Sequence, residues 1–276
     1  MMEAVSYTAQ WTAAARAVET ERGDRATFRD HYARALAAPR GFELLEKNRG
    51  GGLTAFIAIR TRYLDESIEV ILRDSHIRQI VFVAAGMDVR AYRMDWPAGA
   101  RVYEVDFPAL LAEKRRRLTD LRARPRVERR EAAVDLRQEW LPDLAAAGFD
   151  RSQPTLWITE GLMFFLTPEQ AAGLLRTLGL ASTPGSWLCV DFVSQALLRS
   201  PFSREFRQKL VEDGTPWLFG TDEPEEFLAT IGWKVRDLKE PGEPTTAHEH
   251  WPFTVQPRDR KGPSRSWLVR AEFAGQ

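Results

Sequence analysis

The stretch QIVFVAAGMD, residues 79–88, joins a run of apolar and β-branched residues to a turn of small residues. The run QIVFVAAG, residues 79–86, predicts a buried β-strand that leads into this turn. Small residues at such a place allow the backbone to approach a ligand closely. Because Gly86 is its only glycine, the stretch does not match the G-x-G-x-x-G fingerprint of dinucleotide-binding folds. Its meaning therefore depends on the segments that follow.

After this stretch, short apolar segments alternate with helical ones. Further strands are predicted at 101–107 (RVYEVDF), within 126–136, at 154–161 (PTLWITEG), at 185–193 (GSWLCVDFV), and as a closing antiparallel hairpin at 233–239 and 266–273. Helices are predicted from Pro108, over 139–149 with a stop at Gly148, after a capping box of Thr167, Pro168 and Gln170, and over 223–233. The alternation predicts an α/β fold with a doubly wound, mostly parallel, seven-stranded, Rossmann-like sheet.

The 276 residues suit a single domain with four parts. We predict an N-terminal helical cap (1–75), a ligand-binding core (76–193), a lid insertion (194–222) and a C-terminal part of the sheet (223–276). The glycine-rich loop NRGGGL at 48–53 is interpreted as a connector rather than a phosphate cradle, since no strand precedes it and no Lys-Ser/Thr follows.

Composition excludes several classes of protein. Lys plus Arg equals Asp plus Glu, 39 against 39, so no overall attraction to nucleic acid or membrane lipid is expected. The basic stretches at 114–118 and 122–130 are interpreted as a solvated helix face and loop. One cysteine, Cys189, excludes an internal disulfide framework. The absence of a long apolar run and of a secretory leader predicts a cytoplasmic protein.

Acidic residues follow three of the strands, at the sheet edge where ligands bind in doubly wound folds. Glu104 and Asp106 suit the hydroxyls of a ribose, or else are ordinary strand-end acids, one of them capping a helix. Asp135 with Leu136 suits the amine and ring of an adenine, although Asp135 could equally cap a helix. Glu160 ends an apolar strand and needs a cationic partner, which is either an amino group of a cofactor or a structural arginine.

The longer stretch FVAAGMDVRAYRMDWPAGARVYEVDFPALLAEKRRRL resembles the leucine carboxyl methyltransferase family, whose members carry a G-x-G-x-D-T-R-like turn followed by E-V-D. The pieces RTRYLD, AAVDLR and ITEGLMFFLTPEQ are similar to that family in order and spacing, so the resemblance covers about residues 55–195. It implies a class I methyltransferase fold and S-adenosylmethionine as the cofactor. The bacterial branch includes enzymes that O-methylate carboxyl groups of polyketides and other small metabolites.

The resemblance also implies residue roles along the cofactor. In order, these are Arg60 for the methionyl carboxylate, Ala84, Gly86 and Asp88 for the cofactor turn, Asp106 with Glu104 for the ribose, Asp135 and Leu136 for the adenine, and Glu160 for the methionyl amino end. Two departures from the family pattern matter. Ala84 replaces a glycine, and Phe165 replaces a tyrosine whose hydroxyl could bind the substrate.

The acceptor end should be built from the N-terminal helices, residues 162–165 and residues 201–219. Its aromatic residues, Phe164, Phe165, Phe202, Trp217 and Phe219, suggest an apolar or aromatic acid as substrate, with core packing as the alternative. A carboxylate is ionised at neutral pH and needs no general base, whereas a phenol needs one. The histidines are His31, His76, His248 and His250, and the HEH spacing of the last two does not fit the usual zinc helix, so no metal is predicted.

These observations favour a small-molecule carboxyl O-methyltransferase, without naming a catalytic residue. A phenolic or hydroxyl O-methyltransferase is the second hypothesis. A non-catalytic interaction protein on the same fold is the third, because Ala84 and Phe165 depart from the family pattern. An NAD-binding oxidoreductase is disfavoured by the missing glycine fingerprint. The expected partner is a small molecule, with neither nucleic acid nor membrane involved.

Overall fold

The apolar side chains of one inner strand, all of them buried, pack alternately into two core clusters and so show how the sheet is covered. In a computed structural model that describes residues 4–47, 52–246 and 250–275, this strand is β1 (Gln79–Val83). Ile80 and Phe82 belong to one core cluster, whereas Val81 and Val83 belong to another. Because successive strand side chains point to opposite faces, both faces of the sheet are covered.

Seven strands form the sheet within the described residues, in the order β3-β2-β1-β4-β5-β7-β6. The other six are β2 (Arg101–Asp106), β3 (Glu128–Ala133), β4 (Thr155–Thr159), β5 (Trp187–Val193), β6 (Trp233–Lys239) and β7 (Ser266–Phe273). The first five are parallel, and β7 runs antiparallel to both β5 and β6. The predicted seven-stranded fold with its closing hairpin is confirmed.

The predicted first strand is too long at its carboxyl end. It stops at Val83 because Ala84 and Gly86 take positive φ angles of 56° and 49°, which no regular strand contains. Residues 84–86, which were predicted as the end of the strand, therefore belong to the turn and not to the strand. The chain leaves the sheet here and enters the space beyond the strand ends.

Helices flank the sheet and extend before it. They are α1 (Ala4–Thr20), α2 (Ala33–Lys47), α3 (Leu53–Arg73), α4 (Arg90–Arg93), α5 (Pro108–Asp120), α6 (Leu141–Ala146), α7 (Pro168–Leu180), α8 (Gln195–Arg199), α9 (Arg204–Glu212) and α10 (Pro224–Ala229). The capping box is present at the start of α7, where Thr167 accepts from the backbone of Gln170. Pro108 begins α5 as predicted. Helix α2 is kinked at Ala38, which precedes Pro39 and has a φ of 52° and a ψ of 174°.

A third, small cluster joins the predicted lid insertion to the N-terminal helices. Leu210 of α9 is buried with Trp11 of α1 and Leu44 of α2, and Phe206 and Trp217 pack against them. The insertion contains α8, α9 and a 3-10 turn at Pro201–Ser203. The limits drawn for the four parts of the chain stay a prediction.

Two sequence predictions fall partly outside the described residues. Of the loop at 48–53, residues 48–51 are not described, and Gly52 precedes α3 with a φ of 73°. His248 also lies outside the described ranges. No helix of the described part of the chain is long and apolar enough to cross a membrane.

Candidate active site

A cavity of about 740 Å³ lies beyond the carboxyl ends of the parallel strands. Its walls come from the turn after β1 and from the segments that follow β2, β3 and β4, with α1 and α3 on the opposite side. This is the edge where the strand order changes direction, the usual ligand site of such sheets. Its volume is that of a site for a cofactor-sized molecule. Of the residues predicted to bind the cofactor, all line the cavity except Glu104.

The turn after β1 is fixed to the end of β2 by hydrogen bonds. The backbone nitrogen of Gly86 donates to Asp106 Oδ2 at 2.7 Å, and that of Phe107 donates to Asp106 Oδ1 at 2.7 Å. Burial raises the pKa of Asp106, while these two amides act in the opposite direction. Each carboxylate oxygen keeps a further lone pair, so Asp106 can still accept a ribose hydroxyl.

The expectation for Glu104 is corrected by the structure. Its side chain is buried away from the cavity, with Lys114 Nζ at 2.6 Å and Arg129 Nη2 at 2.6 Å. Burial alone would raise the pKa of Glu104, but the two cations outweigh burial and lower the pKa. Glu104 lies two residues before the strand end, beneath helix α5, so it forms a structural ion pair and does not reach a ribose.

Asp135 and Leu136 line the cavity at its end beyond β3. Asp135 accepts from the backbone nitrogen of Arg137 at 2.9 Å and from its Nη2 at 2.7 Å, and these bonds lower the pKa of Asp135. The helix that follows begins only at Leu141, so Asp135 does not cap it. Phe107, which the sequence interpretation missed, also lines this end.

Glu160 lines the cavity and is held by two arginines. Arg60 Nε lies 3.0 Å from Glu160 Oε1, and Arg90 Nη1 lies 2.7 Å from Glu160 Oε2. Burial would raise the pKa of Glu160, but the charges of Arg90, Arg60 and Arg16 outweigh burial and hold the pKa at about 2. Glu160 therefore has structural arginine partners and also faces the cavity.

Arg60, predicted to meet a carboxylate of the cofactor, already contacts two carboxylates of the protein. Besides Glu160, it donates from Nη1 to Asp191 Oδ2 at 2.9 Å. It is 3% exposed and still lines the cavity. Two of its five N–H groups are used in these bonds, so others are free to donate to a ligand.

Three charged residues of this region were missed by the sequence interpretation. Arg16 of α1 lines the cavity and donates to Asp30 at 2.9 Å and to the carbonyl of Met87 at 2.6 Å. Arg90 and Asp191 lie behind the lining. Asp191 and Arg90 both had a usable signal. An acid within the apolar strand WLCVDFV needs a buried partner, and Arg90 stands at the arginine of the family's G-x-G-x-D-T-R-like turn.

The other end of the cavity is apolar and aromatic. Phe164, Phe165 and Trp217 line it as predicted, with ring centroids 4.9 Å apart for the two phenylalanines and 4.6 Å apart for Phe164 and Trp217. Two other suggested aromatics are not part of the site. Phe219 packs in the core against Phe192, and Phe202 is 96% exposed. Core packing is thus the correct interpretation for Phe219.

Solved structures share this fold over nearly the whole chain. A DUF574 family protein from Streptomyces avermitilis has a TM-score of 0.63 and 15% identity, covering 94% of this chain and 97% of that chain. A protein from Thermobifida fusca, provisionally named a methyltransferase, has a TM-score of 0.61 and 18% identity, covering 95% and 94%. Both likenesses show the fold, which is that of the class I methyltransferases.

Sequence relatives define the family within this class. The model of the leucine carboxyl methyltransferase family matches residues 9–179. A Mycolicibacterium smegmatis protein is 37% identical over 84% of each chain, and one from a Parafrankia species is 39% identical over 85% of this chain and 78% of its own. Both are provisionally named S-adenosylmethionine-dependent methyltransferases. The chain belongs to the leucine carboxyl methyltransferase family, and its cofactor is S-adenosylmethionine.

Proposed function

We propose that the enzyme methylates the carboxylate of a small apolar or aromatic acid, forming a methyl ester. The cofactor, when bound, supplies the methyl group as a sulfonium. The lining residues fit it in one order: Leu136 and Asp135 at the adenine, Asp106 at the ribose, Gly86 and Asp88 along the turn, Glu160 at the amino group, and Arg60 at the carboxylate. Arg16 also lines the cavity and is a second cation for that carboxylate.

The observation that carries the choice of acceptor is the pairing of Glu160, on the cavity wall, with the guanidinium groups of Arg60 and Arg90. These cations hold the pKa of Glu160 at about 2, so Glu160 is too weak a base to remove a proton from a phenol at neutral pH. The other ionisable lining residues that the structure describes are further carboxylates and arginines. Of these carboxylates, Asp106 has a raised pKa, but it is bound by the backbone amides of Gly86 and Phe107 and is assigned to the ribose, not to the acceptor. A carboxylate acceptor needs no base, since it is ionised when it binds.

The aromatic end supports an apolar substrate body. Phe164, Phe165 and Trp217 form one wall, and Phe56 and Ile57 of α3 also line this space. Burying aromatic and aliphatic surface here stabilises an apolar substrate by about 25 cal/mol per Å². The same walls exclude water from the carboxylate, which must lose part of its hydration to act as a nucleophile.

We further propose that residues 194–222 cover this end as a lid. Phe206 of α9 packs edge-on to Trp217 at 5.2 Å and to Trp11 at 6.2 Å, and both tryptophans line the cavity. The insertion thus adjoins the acceptor end and not the adenine end. Closure of such a segment would complete the exclusion of water.

The test is a panel of matched acceptors. Aryl and alkyl carboxylic acids, each paired with the phenol or alcohol of the same skeleton, are incubated with protein and S-adenosylmethionine, and products are identified by mass spectrometry. We expect methylated products from the acids alone, and mild alkali should remove the added methyl group from them. Alkali-stable products formed only from the phenols would contradict the proposal.

A separate binding measurement tests the cofactor site. Calorimetry with S-adenosylhomocysteine should show binding at micromolar to submillimolar concentration. Binding without any acid methylated would reject the acceptor class while leaving the cofactor site in place. No binding would reject the proposed cofactor residues.

A further inference from the structure

Arg90 lies behind the cofactor turn, on the one-turn helix α4, and is 1% exposed. Its Nε donates to Asp65 Oδ1 at 2.6 Å, and its Nη1 donates to Glu160 Oε2 at 2.7 Å and to Asp88 Oδ2. Its Nη2 lies 3.4 Å from the carbonyl oxygen of Thr61. One guanidinium therefore joins helix α3, the turn after β1 and the end of β4.

Two of these partners face the cavity, although Arg90 itself does not line it. Asp88 and Glu160 are lining residues on different walls, and Arg90 bridges them from behind. A guanidinium stays protonated and presents five donors in a rigid fork, so it can hold several carboxylates at fixed positions. Lysine, with a compact charge on a flexible stem, cannot reproduce this geometry.

We propose that Arg90 is a positioning residue that holds the carboxylates of Asp88 and Glu160 in place for the methionyl amino end of the cofactor. Arg90 acts through these two residues and touches neither cofactor nor substrate. The inference rests on the proposed role of Glu160 in cofactor binding. It assigns a function to an arginine that lies outside the ligand contacts.

The groups around Glu160 show why Arg90 contributes most to keeping this carboxylate ionised. Arg60 approaches from α3 and Arg90 from α4, and Arg16 of α1 contributes charge from further away. Asp191 on β5 shares Arg60, which divides the charge of that arginine between two carboxylates. Burial favours a protonated Glu160, and Arg90 is the largest single influence against it. Without Arg90 the pKa of Glu160 rises.

The test measures the affinity for S-adenosylhomocysteine by calorimetry between about pH 7 and pH 5, where the amino group of this ligand stays protonated. In the wild type, Glu160 remains ionised throughout, so the affinity should change less than about twofold. In Arg90→Met, the affinity should be lower at pH 7 and fall by about a further tenfold towards pH 5, as Glu160 takes up a proton. A merely structural loss would lower the affinity equally at every pH.

Arg93→Met is the matched control. Arg93 lies on the same helix, is buried, and binds Asp65 through two bonds of 2.7 Å, but it has no bond to Glu160. Its loss should leave the affinity independent of pH. Adding Glu160→Gln to Arg90→Met should also abolish the pH dependence, since the titrating group is then absent.

Arg90→Lys covers the case in which Arg90→Met does not fold. The lysine keeps a charge near Glu160 but cannot bridge two carboxylates, so we expect weaker binding, by about tenfold, with little pH dependence. Wild-type affinity in Arg90→Lys would overturn the proposal, as would a flat pH response in folded Arg90→Met. If the wild type does not bind S-adenosylhomocysteine, the proposed cofactor site fails and the inference fails with it.

Discussion

The backbone nitrogen of Gly86 donates to Asp106 Oδ2 at 2.7 Å, and this bond joins the turn after β1 to the end of β2. The neighbouring amide of Ala85 donates to the carbonyl of Val105 at 3.1 Å. Together the two bonds hold the turn in one conformation, in which Ala84 has a φ of 56°. An alanine is therefore kept in the left-handed region at the place where the family usually has a glycine.

Ala84→Gly should strengthen both folding and cofactor binding. The left-handed conformation costs an alanine about 1–2 kcal/mol, and glycine removes this cost. Glycine also gives the unfolded chain more entropy, which offsets about 0.5–1 kcal/mol of the gain. We expect a gain of up to about 1 kcal/mol in the free energy of unfolding, measured by urea denaturation. Removal of the methyl group should also raise the affinity for S-adenosylhomocysteine severalfold.

Ala85→Gly is the control for this prediction. Ala85 is buried in the core and is not among the residues with positive φ. The same chemical change should therefore destabilise the protein by about 1 kcal/mol there. Equal effects at the two positions would show that the conformation of Ala84 is not strained.

Glu104→Gln should destabilise the protein without changing its cofactor site. The substitution leaves the buried ammonium of Lys114 without its charged partner, which typically costs about 3–5 kcal/mol. Folded protein should keep its affinity for S-adenosylhomocysteine within about twofold. Glu131→Gln is the control, because Glu131 shares Arg129 but pairs with the exposed Arg115, and its loss should cost less than about 1 kcal/mol.

The difference in the free energy of unfolding between wild type and Glu104→Gln should depend on pH, because the pKa of Glu104 is lowered in the folded protein. A carboxyl group whose pKa is lower in the folded state stabilises the protein above its unfolded pKa of about 4.3, and this contribution is lost as the pH falls. The gap in stability between wild type and Glu104→Gln should therefore be full at neutral pH and shrink below about pH 4. A gap that widens in acid would contradict the lowered pKa of Glu104. Lost cofactor binding in folded Glu104→Gln would return Glu104 to the ribose site.

Phe165→Tyr restores the hydroxyl that the family usually carries. Phe165 lines the acceptor end beside Phe164, away from the residues assigned to the cofactor, so the affinity for S-adenosylhomocysteine should not change. An added hydroxyl without a partner costs about 1–3 kcal/mol when an apolar body covers it. We expect kcat/KM for wholly apolar acids to fall about tenfold or more. Acids with a hydrogen-bond acceptor near the carboxylate should keep their kcat/KM, because that acceptor gives the added hydroxyl a partner.

Phe164→Tyr is the control that separates a change in substrate selection from a general loss of stability. Phe164 is 4% exposed and packs on Trp217, so a hydroxyl there should mainly reduce the free energy of unfolding. If both variants reduce kcat/KM for polar and apolar acids alike, Phe165 does not select the substrate.

Local pattern was sufficient to predict most of the framework. The run of apolar and β-branched residues in QIVFV, the capping box at Thr167 and the proline that begins α5 depend on neighbours within a few residues, and all three appear in the structure. The acids after strands two, three and four could be placed at one edge because the carboxyl ends of parallel strands meet there. The length of the first strand could not be predicted from local sequence, since the turn conformation depends on Asp106, twenty residues away.

The sequence by itself therefore determined the sheet, its hairpin and the group of residues that meets the cofactor cavity. Only the tertiary structure decided which charged side chains pair with one another. Glu104 and Asp106 lie two residues apart, yet helix α5 and Arg129 bury one while the other reaches the cavity. Arg90 meets Glu160 across 70 residues of chain, and Arg60 meets Asp191 across 131. Such pairings are set by burial between distant segments, because a charge removed from water must find whichever partner the fold brings to it.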